Sequence, residues 1–139
     1  MTKMQSIANS AALNSNGLYM NRQNKRFVIQ WHTKGTDTHW DLMLEKGDTL
    51  QTWRLDIPPN KLKENIAHAI KIFDHDPKFL TYQGPVNKGK AKVQIADAGT
   101  YKIIQQCSEK TELNLNGKIL KGVFTLARIE NDNWQFTPN

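Results

Sequence analysis

The order of apolar and polar residues along the chain predicts a protein built mainly of short β-strands. Residues 26–32 are rich in β-branched and aromatic side chains, which favour a strand. Residues 39–45 alternate with period two, so that Trp40, Leu42 and Leu44 share one face and the polar residues share the other. These two segments predict a β-hairpin.

Turn residues separate further strand-like segments along the rest of the chain. Strands are predicted at 50–55, 79–83, 91–96, 100–106, 111–115, 122–129 and 134–136. Many short strands with Gly and Asn turns are typical of a small barrel or sandwich. We therefore expect a mainly β fold, a small antiparallel β-barrel with one or two short helices.

One segment has a different period. Leu62, Ile66 and Ala69 recur at helical spacing after Asn60, a residue suited to capping a helix. The pattern predicts a helix over residues 60–73.

The length of 139 residues fits one domain. Residues 1–22 are polar and rich in Asn and Ser, so we expect a disordered leader there and a single domain over 23–139. No apolar run reaches the roughly 18 residues of a membrane span. A single cysteine, Cys107, excludes an intramolecular disulfide. We expect a cytoplasmic monomer without membrane association.

The net charge of +6 at pH 7 is compatible with a nucleic-acid partner. Ordinary surface lysines produce the same balance, so charge alone does not decide. The sequence has no P-loop, no Cys-x-x-Cys, no nucleophile elbow and no dinucleotide fingerprint. Most nucleotide hydrolases, zinc ribbons and serine hydrolases are thereby excluded.

The predicted hairpin brings three metal-ligating side chains together. If residues 33–38 form its loop, His32 and His39 lie opposite one another, and Asp41 is on the same face as His39. Two imidazoles and one carboxylate suit a divalent ion such as Mn²⁺, Fe²⁺ or Zn²⁺. The alternative is two surface histidines beside a turn with no function.

His75 is a further candidate, because it follows the predicted helix and precedes a probable strand. There it is placed to act on a substrate phosphate, as an acid or as a hydrogen-bond donor. The alternative is an exposed loop histidine without a role.

Several blocks of the sequence, in this order, resemble the 3′-phosphoesterase domain of bacterial DNA ligase D, of which stand-alone versions exist. The blocks are 27–32, 39–45, 52–55, 74–75, 82–86, 97–101 and 120–128 with Trp134. Together they cover about residues 26–136, and their order and spacing make the likeness more specific than any single motif. The chain is identified as a divergent member of this family.

The resemblance implies a β-barrel with one Mn²⁺ ion on its outer surface, with Zn²⁺, Co²⁺ or Fe²⁺ as alternatives. His32, His39 and Asp41 match the family's metal ligands, and His75 matches a histidine that contacts the scissile phosphate. The implied activity removes a 3′-ribonucleotide or a 3′-phosphate from DNA ends in repair and end joining. The implied partners are DNA or RNA/DNA 3′ ends, with a separate DNA ligase or polymerase.

Basic residues complete the expected site. Arg54 is assigned with His75 to the catalytic set, where it steers the strand electrostatically. Weaker phosphate contacts are expected from a basic segment before the first strand and from one residue upstream of His75: Arg22, Lys25, Arg26 and Lys71.

Three positions depart from the family pattern. Met43 stands where the family commonly has a phosphate-binding arginine, Phe79 where it has a tyrosine, and Gln83 where it has a glutamate. Methionine cannot replace a bidentate guanidinium, so the phosphate clamp is thinner than in the family. Three functions therefore remain open: an active 3′-end phosphoesterase, a catalytically weakened relative that binds nucleic-acid ends or a repair partner, and a metal-dependent phosphoesterase for a small substrate.

Overall fold

The computed structural model describes residues 11–13, 19–21 and 25–139. The strands in these residues are β1 (Ala11–Leu13), β2 (Tyr19–Asn21), β3 (Lys25–Lys34), β4 (Asp37–Lys46), β5 (Thr49–Leu55), β6 (Ala67–His75), β7 (Gly84–Val86), β8 (Ala91–Cys107), β9 (Lys110–Gly117), β10 (Lys121–Glu130) and β11 (Asn133–Pro138). One short helix, α1 (Pro59–Leu62), and two 3₁₀ turns, at Pro77–Leu80 and Asn87–Gly89, connect them.

Eight antiparallel strands close into a barrel in the order β3-β4-β5-β6-β11-β10-β9-β8. Closure comes from β3, which pairs with β4 on one side and with β8 on the other. The short strand β7 pairs with β8 outside this ring. The expected antiparallel β-barrel with short helices is confirmed.

Alternating side chains fill the barrel. Leu42 and Leu44 of β4 point inward, and Trp40 packs against the same core, as the period of two predicted. Phe27 and Ile29 of β3 meet them from the neighbouring strand. This core fixes the register, because a slip of one residue would turn the whole inward row out to the surface.

The β3–β4 hairpin is tighter than the predicted loop over 33–38. Both strands continue until Lys34 pairs with Asp37, which leaves only Gly35 and Thr36 in the turn. Gly35 has φ +62°, a conformation that favours glycine. The tight turn holds the ends of the two strands in fixed register.

A second apolar cluster lies on the outside of the barrel. Val28, Met43 and Leu50 of three adjacent strands are buried there beneath Leu80 of the first 3₁₀ turn, and Phe79 packs against them. The cluster covers half of the outer face of β3, β4 and β5. The other half carries the candidate site.

The prediction of a helix over 60–73 is wrong. Only Pro59–Leu62 is helical, and the chain then forms strand β6, which pairs with β5 and β11. In β6 the small residues Ala67 and Ala69 face the core, while Ile70 is exposed, as is Ile66 just before the strand. The helical spacing of apolar residues was therefore a coincidence, and pairing on both sides of the segment overrode it.

Two further segments differ from the prediction. The strand expected at 79–83 is a 3₁₀ turn, and Asp76 caps it by accepting a hydrogen bond from the Lys78 amide. The strands expected at 91–96 and 100–106 are one long strand, β8, whose first part pairs with β3 and whose last part pairs with β9. A bulge in its pairing with β3 lets this strand bend around the barrel.

The leader expected over residues 1–22 lies mostly outside the described residues. Within it, β1 and β2 pair as two short antiparallel strands. None of the helices in the described residues has the length and hydropathy of a membrane span.

Candidate metal centre and phosphate site

Three neighbouring strands place the candidate ligands on the outer face of the barrel. The register of β3 and β4 puts His32 directly opposite His39, and Asp41 opposite Gln30. Asp41 is also the register partner of Arg54 on β5. The hairpin predicted from the sequence therefore brings the two histidines and the carboxylate to one corner of the sheet.

The two imidazoles and the carboxylate are in direct contact. The rings of His32 and His39 stack with centroids 4.5 Å apart and planes 17° apart. His39 Nε2 lies 3.2 Å from Asp41 Oδ1 and 3.3 Å from Asp41 Oδ2. Ligand atoms about 2.1 Å from a shared divalent ion lie about 3 Å from one another, so this N–O spacing fits two ligands of one cation.

Asp41 also carries an unsatisfied oxygen. The residue is 3% exposed, and its Oδ1 lies 3.2 Å from His39 Nε2 without hydrogen-bond geometry and accepts no hydrogen bond from the described residues. The opposed Gln30 is fully buried, and its Oε1 likewise has no partner there. A buried acceptor without a donor costs about 1–3 kcal/mol. Two such acceptors on directly opposed residues form a site that a cation or its bound water would stabilise.

The side chains of His32, His39 and Asp41 are not arranged around one point as the ligands of a bound ion would be. Among the described residues, no three His, Cys, Asp or Glu side chains are already arranged to hold a metal ion. The two rings lie face to face, so a shared ion requires them to rotate about their side-chain bonds. The donor types and the free Oδ1 of Asp41 fit a divalent ion, and the ligand role of the three residues stays a prediction.

The protonation state of His32 suits a metal ligand. Burial lowers the pKa of His32 below its usual value of 6.5, and the nearby His39 lowers it further, while Asp41 has an opposing effect. An imidazole must be neutral to bind a metal, and a lowered pKa keeps it neutral at physiological pH.

Arg54 borders the same corner. It lines an open depression of about 490 Å³ together with His32, His39 and the hairpin residue Lys34. Arg54 makes no ion pair with any acidic group that the structure describes. Its guanidinium is thus available to an anion held in this depression.

His75 ends β6 and is oriented by two hydrogen bonds. Its Nδ1 lies 3.1 Å from the carbonyl oxygen of Phe73 and 2.9 Å from Thr52 Oγ1. A carbonyl oxygen only accepts, and the Thr52 hydroxyl donates to the carbonyl of Leu50, so the proton of His75 is on Nδ1. This leaves Nε2 as the nitrogen that can receive a proton and return it.

The weaker phosphate-binding candidates do not gather at this corner. Arg26 lies six residues before His32 on β3, about 20 Å away at ~3.3 Å per residue, and it pairs with Glu45 at 2.8 Å. Lys25 lies beside it on the same strand. Lys71 turns to the other face of β6, where its Nζ is 5.2 Å from the ring centroid of the core residue Trp53.

The remaining basic candidate, Arg22, lies outside the described residues. Among the described residues, Arg54 is therefore the one predicted phosphate-binding residue that lies beside His32 and His39.

Met43 and Phe79, two of the departures from the family pattern, have a shared structural role. Met43 is the register partner of Thr52 and therefore lies between Asp41 and the neighbourhood of His75. It is buried in the outer apolar cluster, and Phe79 packs against that cluster from above. Both side chains therefore contribute apolar packing at this part of the outer face.

Gln83, the third departure, keeps an acceptor. Its Oε1 accepts a hydrogen bond from the Ile95 amide at 2.8 Å. This is the point where the pairing of β3 with β8 shifts register, and a side-chain oxygen satisfies the amide there. The role is structural, and an amide oxygen serves it as well as a carboxylate.

Sequence reasoning missed Gln30. Its Nε2 donates to the carbonyls of Phe79 and Tyr82, which ties the first 3₁₀ turn to the barrel above the apolar cluster. Its signal was present, since Gln30 is two residues before His32 and therefore on the same face of a strand that is otherwise apolar.

A comparison with protein families matches residues 30–128 to the DNA ligase D 3′-phosphoesterase domain. The matched range contains the three predicted metal ligands, Arg54 and His75. A comparison with curated proteins found no match.

Proposed function

Since this chain belongs to the DNA ligase D 3′-phosphoesterase domain family, we propose that it removes a 3′-terminal ribonucleotide or a 3′-phosphate from nucleic-acid ends. The observation that carries this proposal is the corner of His32, His39 and Asp41, with its buried carboxylate oxygen that accepts no hydrogen bond from the described residues. Such an oxygen is costly in a purely structural carboxylate and expected in one reserved for a cation.

His32, His39 and Asp41 would hold the ion, and we propose Mn²⁺. Held by these three residues, the ion would supply Lewis acidity toward a phosphoryl oxygen or would position the attacking group. An imidazole binds a metal ion only when the ligating nitrogen carries no proton, so metal affinity would fall as the pH falls.

The chain's own residues bind and protonate the substrate. Arg54 offers two parallel N–H donors to non-bridging phosphate oxygens. His75, with Nδ1–H fixed on the Phe73 carbonyl, takes a proton at Nε2 from the attacking water and returns it to the leaving oxygen. The product carries a 3′-hydroxyl, which is the group that a polymerase or ligase requires, so we place the reaction before synthesis or sealing by a separate enzyme.

The test uses a primer–template whose primer ends in a ribonucleotide, and a second whose primer ends in a 3′-phosphate. With Mn²⁺ we expect conversion of both primers to a 3′-hydroxyl end, and with EDTA none. His39→Ala and His75→Ala should each abolish conversion. The matched control is His68→Ala, because His68 is an exposed histidine of β6 that bonds to Asn133 and does not line the depression beside Arg54.

No product at high enzyme concentration with Mn²⁺, Zn²⁺, Co²⁺ or Fe²⁺ would contradict the enzymatic proposal. The buried Met43 would then favour a second candidate function, because an apolar side chain lies between Asp41 and His75. In that case the protein is a weakened relative that binds nucleic-acid ends. Binding should then favour linear over circular DNA, weaken with salt, and survive His32→Ala. Turnover of small phosphate esters alone would indicate a small substrate.

A further inference from the structure

An aromatic ring stands in solvent directly beside His75. Phe73 is 75% exposed, although phenylalanine is usually buried. Its ring stacks on the imidazole of His75 with centroids 4.7 Å apart and planes 14° apart. One face of the Phe73 ring is therefore covered by His75, and the high exposure places the opposite face in water.

A bulge in β6 produces this exposure. Leu50 pairs with His75 and Thr52 pairs with Ile72, so Gln51 faces two residues, Phe73 and Asp74. Bulges of this kind re-aim side chains and are frequent beside active sites. Here the bulge lets Phe73 stand against His75 rather than continue the regular alternation.

Ordered side chains support the face of the Phe73 ring that contacts His75. His75 is fixed by its two Nδ1 contacts, to the Phe73 carbonyl and to Thr52 Oγ1. The edge contact of His75 with Phe79, at 5.8 Å and 81°, supports the imidazole further. Phe79 in turn packs on the buried outer cluster. Phe73 thus rests on a series of ordered side chains and presents a flat, rigid apolar surface.

We infer that the exposed face of Phe73 is a stacking platform for the nucleobase at the 3′ end of the substrate. The inference rests on the proposed function, which places the scissile phosphate at His75. A flat ring suits a base because every base has a π-face, and the net charge of +6 favours a polyanionic partner over an apolar one. Ile70, half-exposed and paired with Arg54, extends the apolar edge between the two phosphate-binding groups.

The platform makes the protein sensitive to the presence of a terminal base and tolerant of its identity. Stacking on an aromatic side chain changes affinity by about 5- to 100-fold per base. A terminal ribonucleotide should therefore be bound more tightly than an abasic terminal sugar, whatever the base.

The experiment compares wild-type protein with Phe73→Ala and Phe73→Trp, and uses Ile129→Ala as the matched loss of an exposed apolar side chain on β10. The probe is a primer–template ending in a 2-aminopurine ribonucleotide. In EDTA, where no cleavage occurs, we expect quenching of 2-aminopurine by wild type, Phe73→Trp and Ile129→Ala, and loss of that quenching in Phe73→Ala.

With Mn²⁺, Phe73→Ala should raise KM about 5- to 100-fold for the base-bearing primer, change kcat by less than about 3-fold, and leave an abasic primer unaffected. Quenching and KM that are unchanged in Phe73→Ala overturn the inference, even if cleavage proceeds. Quenching that depends on Phe73 in a protein without turnover keeps the platform and removes the proposed function. Equal losses in Ile129→Ala would point to a general defect and also overturn the inference.

Discussion

Asp97 and Asp41 are both buried aspartates on barrel strands, 2% and 3% exposed, and their surroundings differ completely. Asp97 receives four backbone N–H bonds: from Ala98, Lys118 and Ile119 to Oδ1, and from Leu120 to Oδ2. Among the described residues, the Asp41 carboxylate has a hydrogen bond or ion pair only with the imidazole of His39, and its Oδ1 accepts no hydrogen bond there.

The difference separates a carboxylate with a structural role from one that we propose to bind a ligand. Backbone donors cannot leave, so Asp97 ties the loop before β10 to β8 permanently. The backbone also encloses it tightly, since a Cβ on Gly117 would come within 2.6 Å of Asp97 Oδ2. Asp41 is held by the sheet but left with spare acceptor capacity, which matches a group reserved for a ligand.

The largest expected effect is that of Asp97→Asn. The amide has one acceptor oxygen, so its NH₂ group meets either the Leu120 N–H or, if the amide is flipped, the three N–H groups that bonded to Oδ1, and each N–H that it meets loses its acceptor. Each such loss costs about 1–3 kcal/mol, and we expect the free energy of unfolding to fall by about 3 kcal/mol or more. Urea denaturation at unchanged m-value measures it.

The control for this substitution is Asp48→Asn in the exposed β4–β5 turn, which should change stability by less than about 0.5 kcal/mol. Equal stability of Asp97→Asn and Asp48→Asn would show that the four N–H bonds contribute nothing.

The next largest effect is expected from a substitution in the outer apolar cluster beside Asp41. Met43→Arg places a guanidinium among Val28, Leu50 and Leu80, and we expect a loss of about 2–3 kcal/mol in stability. Met43→Leu keeps the volume and should cost less than about 1.5 kcal/mol. A Met43→Arg protein as stable as Met43→Leu would mean that the cluster opens easily and accommodates an arginine beside Asp41.

Asp41→Asn should have a much smaller effect on the metal-free protein. The substitution weakens one contact with His39 and also removes a buried charge that lacks hydrogen bonds. Because these two effects oppose one another, we expect the free energy of unfolding to change by no more than about 1 kcal/mol in either direction. Thermal or urea unfolding in EDTA, side by side with Asp97→Asn, gives the comparison. A loss as large as that of Asp97→Asn would make Asp41 a structural residue too.

The smallest effect concerns pH. Burial lowers the pKa of His32 in the folded state, so the unfolded chain takes up a proton near pH 6.5 while the folded protein does so only at lower pH. The stability linked to His32 is complete above about pH 6.5 and is lost as the pH falls toward the folded pKa. His32→Gln should flatten the fall of unfolding free energy below pH 6.5 in EDTA, and an unchanged slope would contradict it.

The barrel class and the His32–His39 hairpin were predictable because both follow from local period and from one turn. The helix over 60–73 was not, because its apolar spacing fitted a helix while pairing with β5 and β11 decided the outcome. Long-range pairing of this kind leaves no local signal in a single sequence.

The candidate site likewise has one part that was predictable from the sequence and another that was not. The proximity of His32, His39 and Asp41 follows from residues that are neighbours across one hairpin. The burial of Met43 beneath Leu80, the support of His75 by Thr52 and the four donors to Asp97 join segments that are distant in sequence. Lys71 was suggested by the resemblance, as a substitute for an arginine upstream of His75, and the structure places its side chain against Trp53 instead.

The most direct test of the account is a calorimetric titration of the metal-free protein with Mn²⁺ at pH 7.5 and again at pH 6. The account predicts one ion per chain, weaker binding and more proton release at pH 6, no binding to Asp41→Asn or His32→Gln, and unchanged binding to His68→Ala. Binding to Asp41→Asn with wild-type affinity, or no binding to wild type, would contradict the claim that the unsatisfied carboxylate of Asp41 is reserved for a metal ion.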